Sequence, residues 1–226
     1  MVETTITFPE QEDKINKKEL MSDILYSVAK GISGAALKVF TNLKVEGEEN
    51  IPIRGKAIIT TVSKNAMRDI LIISQISGRK IHFMLSPKLM KHKIAGPILK
   101  TLGMFRSTTS KDDTEPIEKV FKILNEKGNL VAMTPEAKLD REVQVKTMAA
   151  IIKFAIAANA PIIPVVVISE KTKLFNMIPA KGLKVKVGTP LKVEKKLNRE
   201  KFRDKRYELA EEIIKIIEAL KKNYEE

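Results

Sequence analysis

Two stretches of the chain share one pattern, a short apolar run that stops abruptly in polar residues. Ala57 to Asp69 reads AIITTVSKNAMRD and Asn129 to Asp140 reads NLVAMTPEAKLD. Each begins as a buried strand rich in β-branched or aliphatic residues, ended by polar or turn-forming ones. In open α/β sheets, ligands bind outside the C-terminal ends of the strands. Lys64 and Asp69 after the first strand, and Glu136 and Lys138 after the second, are therefore the first candidates for a functional site.

The rest of the chain alternates between the two periods. Met1 to Asp13 is a polar leader. From Lys14 to Asn42, apolar residues recur at helical spacing (Ile24, Leu25, Val28, Ile32, Val39), which predicts one long helix, or two joined near Gly31–Gly34. That stripe has two readings: it packs on the domain, or it lies on an anionic bilayer where apolar burial and lysines act together. A short strand in LKVEGEENIP precedes the first central strand, Lys56 to Val62, and a helix from Met67 to Ser77 follows. Next come a strand at Ile81–Leu85, a helical stretch from Pro87 to Leu102, and the loop GMFRSTTSKDD. A helix opening at Thr114 has Pro116 in its first turn and ends at Gly128, before the second central strand, Leu130–Met133. A helix over Lys146–Ala158 leads to an apolar strand, Pro161–Ile168. Residues 183–193 alternate as a half-exposed hairpin or strand pair, and a C-terminal helix runs from Arg199 to Lys222. Strands interleaved with helices predict an α/β fold, with helices flanking a mixed, mostly parallel sheet. The expected organisation is a leader and amphipathic helical segment over residues 1–42 and one domain over 43–226.

Composition narrows the chemistry. With 43% hydrophobic residues in 226, the chain can bury a sizeable core. It has no Cys, which excludes disulfides, thiol nucleophiles and Cys-ligated metals, and two His, which excludes a His-rich metal site. His82 alternates with apolar neighbours as a strand residue does, and His92 lies in the basic run KLMKHKIAG. The net charge of +13 suits polyanionic partners such as an anionic membrane surface. No nucleic-acid motif accompanies the charge, so nucleic acid is not an expected partner. There is no Gly-rich phosphate loop, so no nucleotide cofactor is expected. The polar N-terminus and the lack of a membrane-length apolar run predict a cytoplasmic protein and leave open a peripheral place at the inner face of the membrane.

The order of segments resembles the PlsC-like glycerolipid acyltransferase family. The resemblance rests on VEGEENIP, a strand entering a polar turn with Asp69, Gly103-Met104-Phe105, a strand ending in Pro135-Glu136, and PIIPVVV ahead of KVKVGTPL. It covers roughly Leu43 to Val193. It implies transfer of an acyl chain from acyl-CoA or acyl carrier protein to a lysophosphatidate-like or glycerol-phosphate acceptor. The family's His-x4-Asp motif retains Asp69, with Lys64 at the His position and Ser63 at the neighbouring Asn. In the second motif Gly103 and Phe105 match, Thr109 stands where a phosphate-binding Arg belongs, and Arg106 lies three residues earlier. Pro135 and Glu136 remain of the third motif, and the embedded Pro164 keeps the fourth.

The resemblance thus implies catalytic positions at Lys64 and Asp69, and substrate-binding positions at Gly103, Arg106, Thr109, Glu136 and Lys138. Lysine begins near a pKa of about 10.4, so Lys64 is a base only if its charge is suppressed; charged, it is an anion ligand. Asp69 is expected to fix the loop or cap the next helix, and Glu136 to hold the acceptor loop. Arg106 and Lys138 are the candidates to neutralise an acceptor phosphate. An apolar tunnel for the acyl chain is expected between the Met67–Ile76 helix and the Leu99–Phe105 region. A catalytically silent scaffold that still binds lysophospholipid, acyl-thioester or membrane is the alternative.

Overall fold

A computed structural model describes residues 17–62, 65–110, 112–126, 128–136, 138–169, 173–174, 178–179 and 182–222. The leader Met1–Asp13 and Lys64 lie outside these described residues. Helix α1 (Lys17–Thr41) leads into strand β1 (Lys44–Glu46), a one-turn 3₁₀ segment, and β2 (Ala57–Thr60). Next are α2 (Ala66–Ile73), β3 (Ile81–Leu85), α3 (Pro87–Met90), α4 (Ala95–Thr101) and β4 (Phe105–Arg106). Helix α5 (Glu115–Phe121) runs on into a π-turn, then β5 (Leu130–Met133), α6 (Arg141–Ala158) and β6 (Ile162–Ser169) follow. The short pair β7 (Lys173–Leu174) and β8 (Ile178–Pro179) precedes β9 (Leu183–Val187) and the last helix, α7 (Arg203–Lys222).

Seven strands form one sheet in the order β1-β9-β6-β2-β5-β3-β4, parallel at every pairing except β6 with β9. The central strands are covered on both faces. Ala57 and Ile59, Leu130 and Ala132, and Ile81 and Phe83 enter the core beneath α1 to α4. Ile58, Val131 and Met133 enter the core beneath α5, α6 and α7. Two buried faces explain why these strands read as unbroken apolar runs rather than alternations. Arg141 pins α6 to α7 through Glu211 at 2.7 Å and Glu218 at 2.7 Å.

Three elements depart from expectation. Residues 183–193 are not a hairpin. Strand β9 stops at Val187 and pairs with β6, and Gly188 turns the chain, its N–H donating to the Pro164 carbonyl at 2.8 Å. Leu191 then rejoins β6 through a single bridge to Ile162. The stretch from Pro87 to Leu102 is two helices, because Pro97 lacks the N–H that a continuous helix would direct to the Lys93 carbonyl. Helix α6 begins at Arg141 rather than Lys146.

Helix α1 is a single helix and is inverted. It meets the domain through Tyr26, Lys30, Ser33, Gly34, Leu37 and Thr41, and only Leu37 of these is aliphatic. The Tyr26 hydroxyl accepts from the Ile81 N–H at 3.2 Å, Lys80 pairs with Asp23 at 2.7 Å, and Lys30 donates to the Ser77 carbonyl. Gly34 lets the helix close on Gln75, whose Oε1 would lie 2.6 Å from any Cβ placed there. The apolar stripe Met21–Ile24–Leu25–Val28–Ile32–Val39 points the other way, into solvent, with Ile32 69% and Val39 78% exposed.

Gly47 locks the outer edge of the sheet. Its φ is +78°, and a Cβ there would sit 2.2 Å from the Val187 carbonyl oxygen at the end of β9. Gly47→Ala combines a left-handed backbone with a backbone clash and should cost about 2 kcal/mol. A urea midpoint equal to that of the parent protein would show that β1 is not held this tightly against β9.

Candidate functional site

Strands β2 and β5 are parallel neighbours, with Ile59 opposite Ala132, so their C-terminal ends lie side by side. The chain leaves β2 through the buried Thr60 and Thr61, and Asn65 stands directly ahead of α2. The side chain of Asn65 accepts from the Arg68 N–H at 3.2 Å and caps α2. The cap is therefore Asn65, not Asp69. An Asn directly ahead of an apolar helical run is a capping signal visible in the sequence. Asp69 lies one turn into α2, 4% exposed, and Arg68 donates to its Oδ1 from both Nε (2.9 Å) and Nη2 (2.7 Å). A buried carboxylate bonded in this way is fixed in orientation within the first turn of α2.

On the adjacent strand, Pro135 is buried and Glu136 is exposed. The Glu136 carbonyl accepts from the Leu139 N–H at 3.1 Å, closing a turn that carries the exposed Lys138. Gln144 secures the same turn from α6, its Nε2 donating to the Leu139 carbonyl at 2.6 Å. The topology thus brings the Asp69 segment and the Glu136–Lys138 turn to one edge. Arg106, at the end of β4, is three ladders from β2, on the order of 14 Å along the edge.

Arg106 and Thr109 meet on a residue that the sequence did not single out. Both Arg106 terminal nitrogens bond Asp113, Nη2 at 3.0 Å, and Nη2 also reaches Glu115 at 2.7 Å. Thr109 donates to Asp113 Oδ2 from its backbone N–H and from its hydroxyl, each at 2.9 Å. The Arg106 guanidinium beside it, and then the Thr109 N–H, hold the Asp113 carboxyl well below the usual carboxylate range. Any anion arriving at Arg106 would therefore compete with Asp113 and Glu115 for it. The only sequence signal for this knot is that Asp112 and Asp113 end a long stretch without acids.

Gly103 turns the chain from α4 into β4 with φ +83°, and its carbonyl accepts from His82 Nδ1 at 3.1 Å. Because a carbonyl only accepts, Nδ1 carries the proton. Burial pushes the His82 imidazole below its ordinary value, which the Gly103 bond partly offsets. His82 is thus a satisfied strand residue, and His92 serves as a local cap for Ala95.

A cleft of about 1320 Å³ opens at the β4 edge of the sheet. Its floor includes His82, Gly103 and Phe105, and its walls come from α1 (Lys18, Met21), α3–α4 and α5. Lys100, Thr101, Gly103, Met104 and Phe105 border it, and no residue of α2 does. Ile70, Ile72 and Ile73 are instead spent on the core. Among the described residues no group of three or more His, Cys, Asp and Glu is arranged to hold a metal ion.

The Arg106–Asp113 knot has a pH signature. Folded Asp113 binds its proton more weakly than the unfolded chain does, so its stabilisation is present above the ordinary value of 3.8 and is lost as the pH falls. Asp113→Asn should flatten the acid limb of the unfolding midpoint between roughly pH 5 and pH 2. An unchanged limb would show that the charge of Asp113 does not hold the loop.

Among the described residues, no helix is long and apolar enough to cross a membrane. No curated protein matches the chain. The structure is similar to the crystal structure of the 1-acyl-sn-glycerophosphate (LPA) acyltransferase PlsC from Thermotoga maritima, with a TM-score of 0.59 and 20% identity. The match covers 92% of this chain and 84% of that one, and at this identity it speaks for the fold. The family model described as Acyltransferase matches residues 42–168, from the end of α1 through nearly all of β6. With more than half of its length matched, including both central strands and the turns that leave them, the chain belongs to the acyltransferase family.

Proposed function

We propose that the protein transfers an acyl chain from acyl-CoA or acyl carrier protein to a lysophosphatidate-like or glycerol-phosphate acceptor at an anionic membrane surface. Family membership supports the reaction class. The observation that carries the membrane part is the inverted α1, whose apolar stripe faces solvent while its polar and small residues face the domain. A helix that keeps its apolar side outward leaves area that a bilayer interface would cover.

In this reading the acceptor hydroxyl attacks the thioester carbonyl carbon, the C–S bond breaks, and the hydroxyl proton ends on the departing thiol. Lys64, at the family's His position, relays that proton when neutral and holds the acceptor's phosphate when charged. Asp69, oriented by Arg68, belongs to the helix that follows the same strand end. The Glu136–Lys138 turn beside it receives the acceptor, with Lys138 as a point charge for the phosphate. Much of the acceleration then comes from holding acceptor and thioester together.

One observation favours a second reading, in which the scaffold binds its ligands without turnover. The guanidinium nearest the second motif is already neutralised by Asp113 and Glu115, and lysine replaces the family's base. The two readings part in an acyl-transfer assay with labelled lysophosphatidate and glycerol 3-phosphate. If Lys64 is the base, Lys64→Ala should lower kcat by about a hundred-fold or more. No turnover in the parent protein, with turnover in Lys64→His, would mark a binding scaffold instead.

The membrane part has its own test. Val28→Asp with Ile32→Asp should abolish sedimentation with anionic vesicles while leaving the thermal melt unchanged, since both side chains are exposed. Raising the salt should weaken parent binding. Point variants are preferable to removing α1, because Leu37 belongs to the core and Tyr26 holds β3. Undiminished sedimentation of the double variant would remove α1 as the lipid contact.

A further inference from the structure

We infer that the α3–α4 hairpin, which borders the same cleft as α1, is a second lipid-contacting element, and that an anionic bilayer surface is what covers it. This rests on the membrane reading above and adds to it an element that α1 does not include. Ile94 and Ile98 are 73% and 55% exposed, unlike the neighbouring Leu99 and Met90, which are buried. They are four residues apart, so they share one face of a helical turn. Their outward position is enforced by packing. A Cβ on Gly96 would lie 2.3 Å from the Met90 carbonyl oxygen, so α4 is pressed against the end of α3 and has no freedom to roll the isoleucines inward.

Charge decides the occupant. Lys88 of α3, Lys91 and Lys93 of the turn that follows, and Lys100 of α4 are all exposed, and from Ile70 to Lys111 the chain contains no Asp or Glu. Long lysine stems lie along an apolar patch and send their ammonium groups outward, as an anionic interface requires. The patch has no exposed aromatic or Arg of the kind that anchors protein partners. Lys91 and Lys100 line the same cleft as Lys18 and Met21 of α1. Two lipid contacts bordering one cleft would bring the cleft to the membrane, so that a lipid substrate enters it from the bilayer.

The chain has no Cys, so single labels are clean. An environment-sensitive fluorophore is placed on Ile98→Cys, on Ile32→Cys of α1, and on Glu212→Cys of α7 as an exposed control. Vesicles of equal parts phosphatidylglycerol and phosphatidylcholine are then added, with and without lipid-borne quenchers. The labels at 98 and 32 should shift to the blue and be quenched, and the label at 212 should not. In the unlabelled protein, Ile94→Ser with Ile98→Ser should weaken vesicle partitioning roughly ten-fold or more. A label at 98 that stays in water while the label at 32 enters lipid would overturn this inference and leave the α1 reading standing. Labels that both stay in water would overturn the two together. A shift at 98 only on adding acyl carrier protein would assign the patch to an acidic protein and also overturn the inference.

Discussion

Burial of β2 and β5 on both faces is the constraint on which the rest of the structure depends. Ala57 to Ile59 and Leu130 to Met133 are essentially inaccessible, one set of side chains under α1 to α4 and the other under α5 to α7. Neither strand can offer a side chain to a ligand along its length. Polar groups can appear only where the strands end, and parallel pairing puts both ends at the same edge. The flanking helices secure the turns that leave that edge: Asn65 begins α2, and Gln144 of α6 holds the Glu136 turn. Packing and chemistry are thus one arrangement.

The central fold was legible because double burial leaves a strong trace. The strands Ile81–Leu85 and Leu130–Met133 can be read from sequence to the residue. Segments whose partners are distant in sequence were less legible. The alternation over 183–193 marks a pleated surface but does not say which strand it pairs with, and Gly188 diverts half of it away from β9. The period over Pro87 to Leu102 is helical throughout, yet one missing N–H at Pro97 divides it.

The candidate site shows the same division. Asp69, Glu136 and Lys138 could be assigned to one edge because strand-end position follows from local pattern. Asp113 could not, because its importance comes from Arg106 and Thr109 folding back onto it. Asn65 was open to reading, and its capping role displaces the one expected of Asp69. Helix α1 shows a further limit. Periodicity reveals that one face is apolar, but whether that face turns toward the sheet depends on Tyr26, Gly34 and Leu37 finding their partners on β3, at Gln75 and in the core.

Those partners have a mechanical consequence. A helix fastened by a hydrogen bond to β3, an ion pair to Lys80 and a core leucine is a rigid keel rather than a tether. Whatever rests against its outer stripe is registered to the first strand residue of β3, one peptide unit from the floor of the cleft. Height and tilt over that surface are then properties of the fold itself, set when the chain folds and not at each encounter.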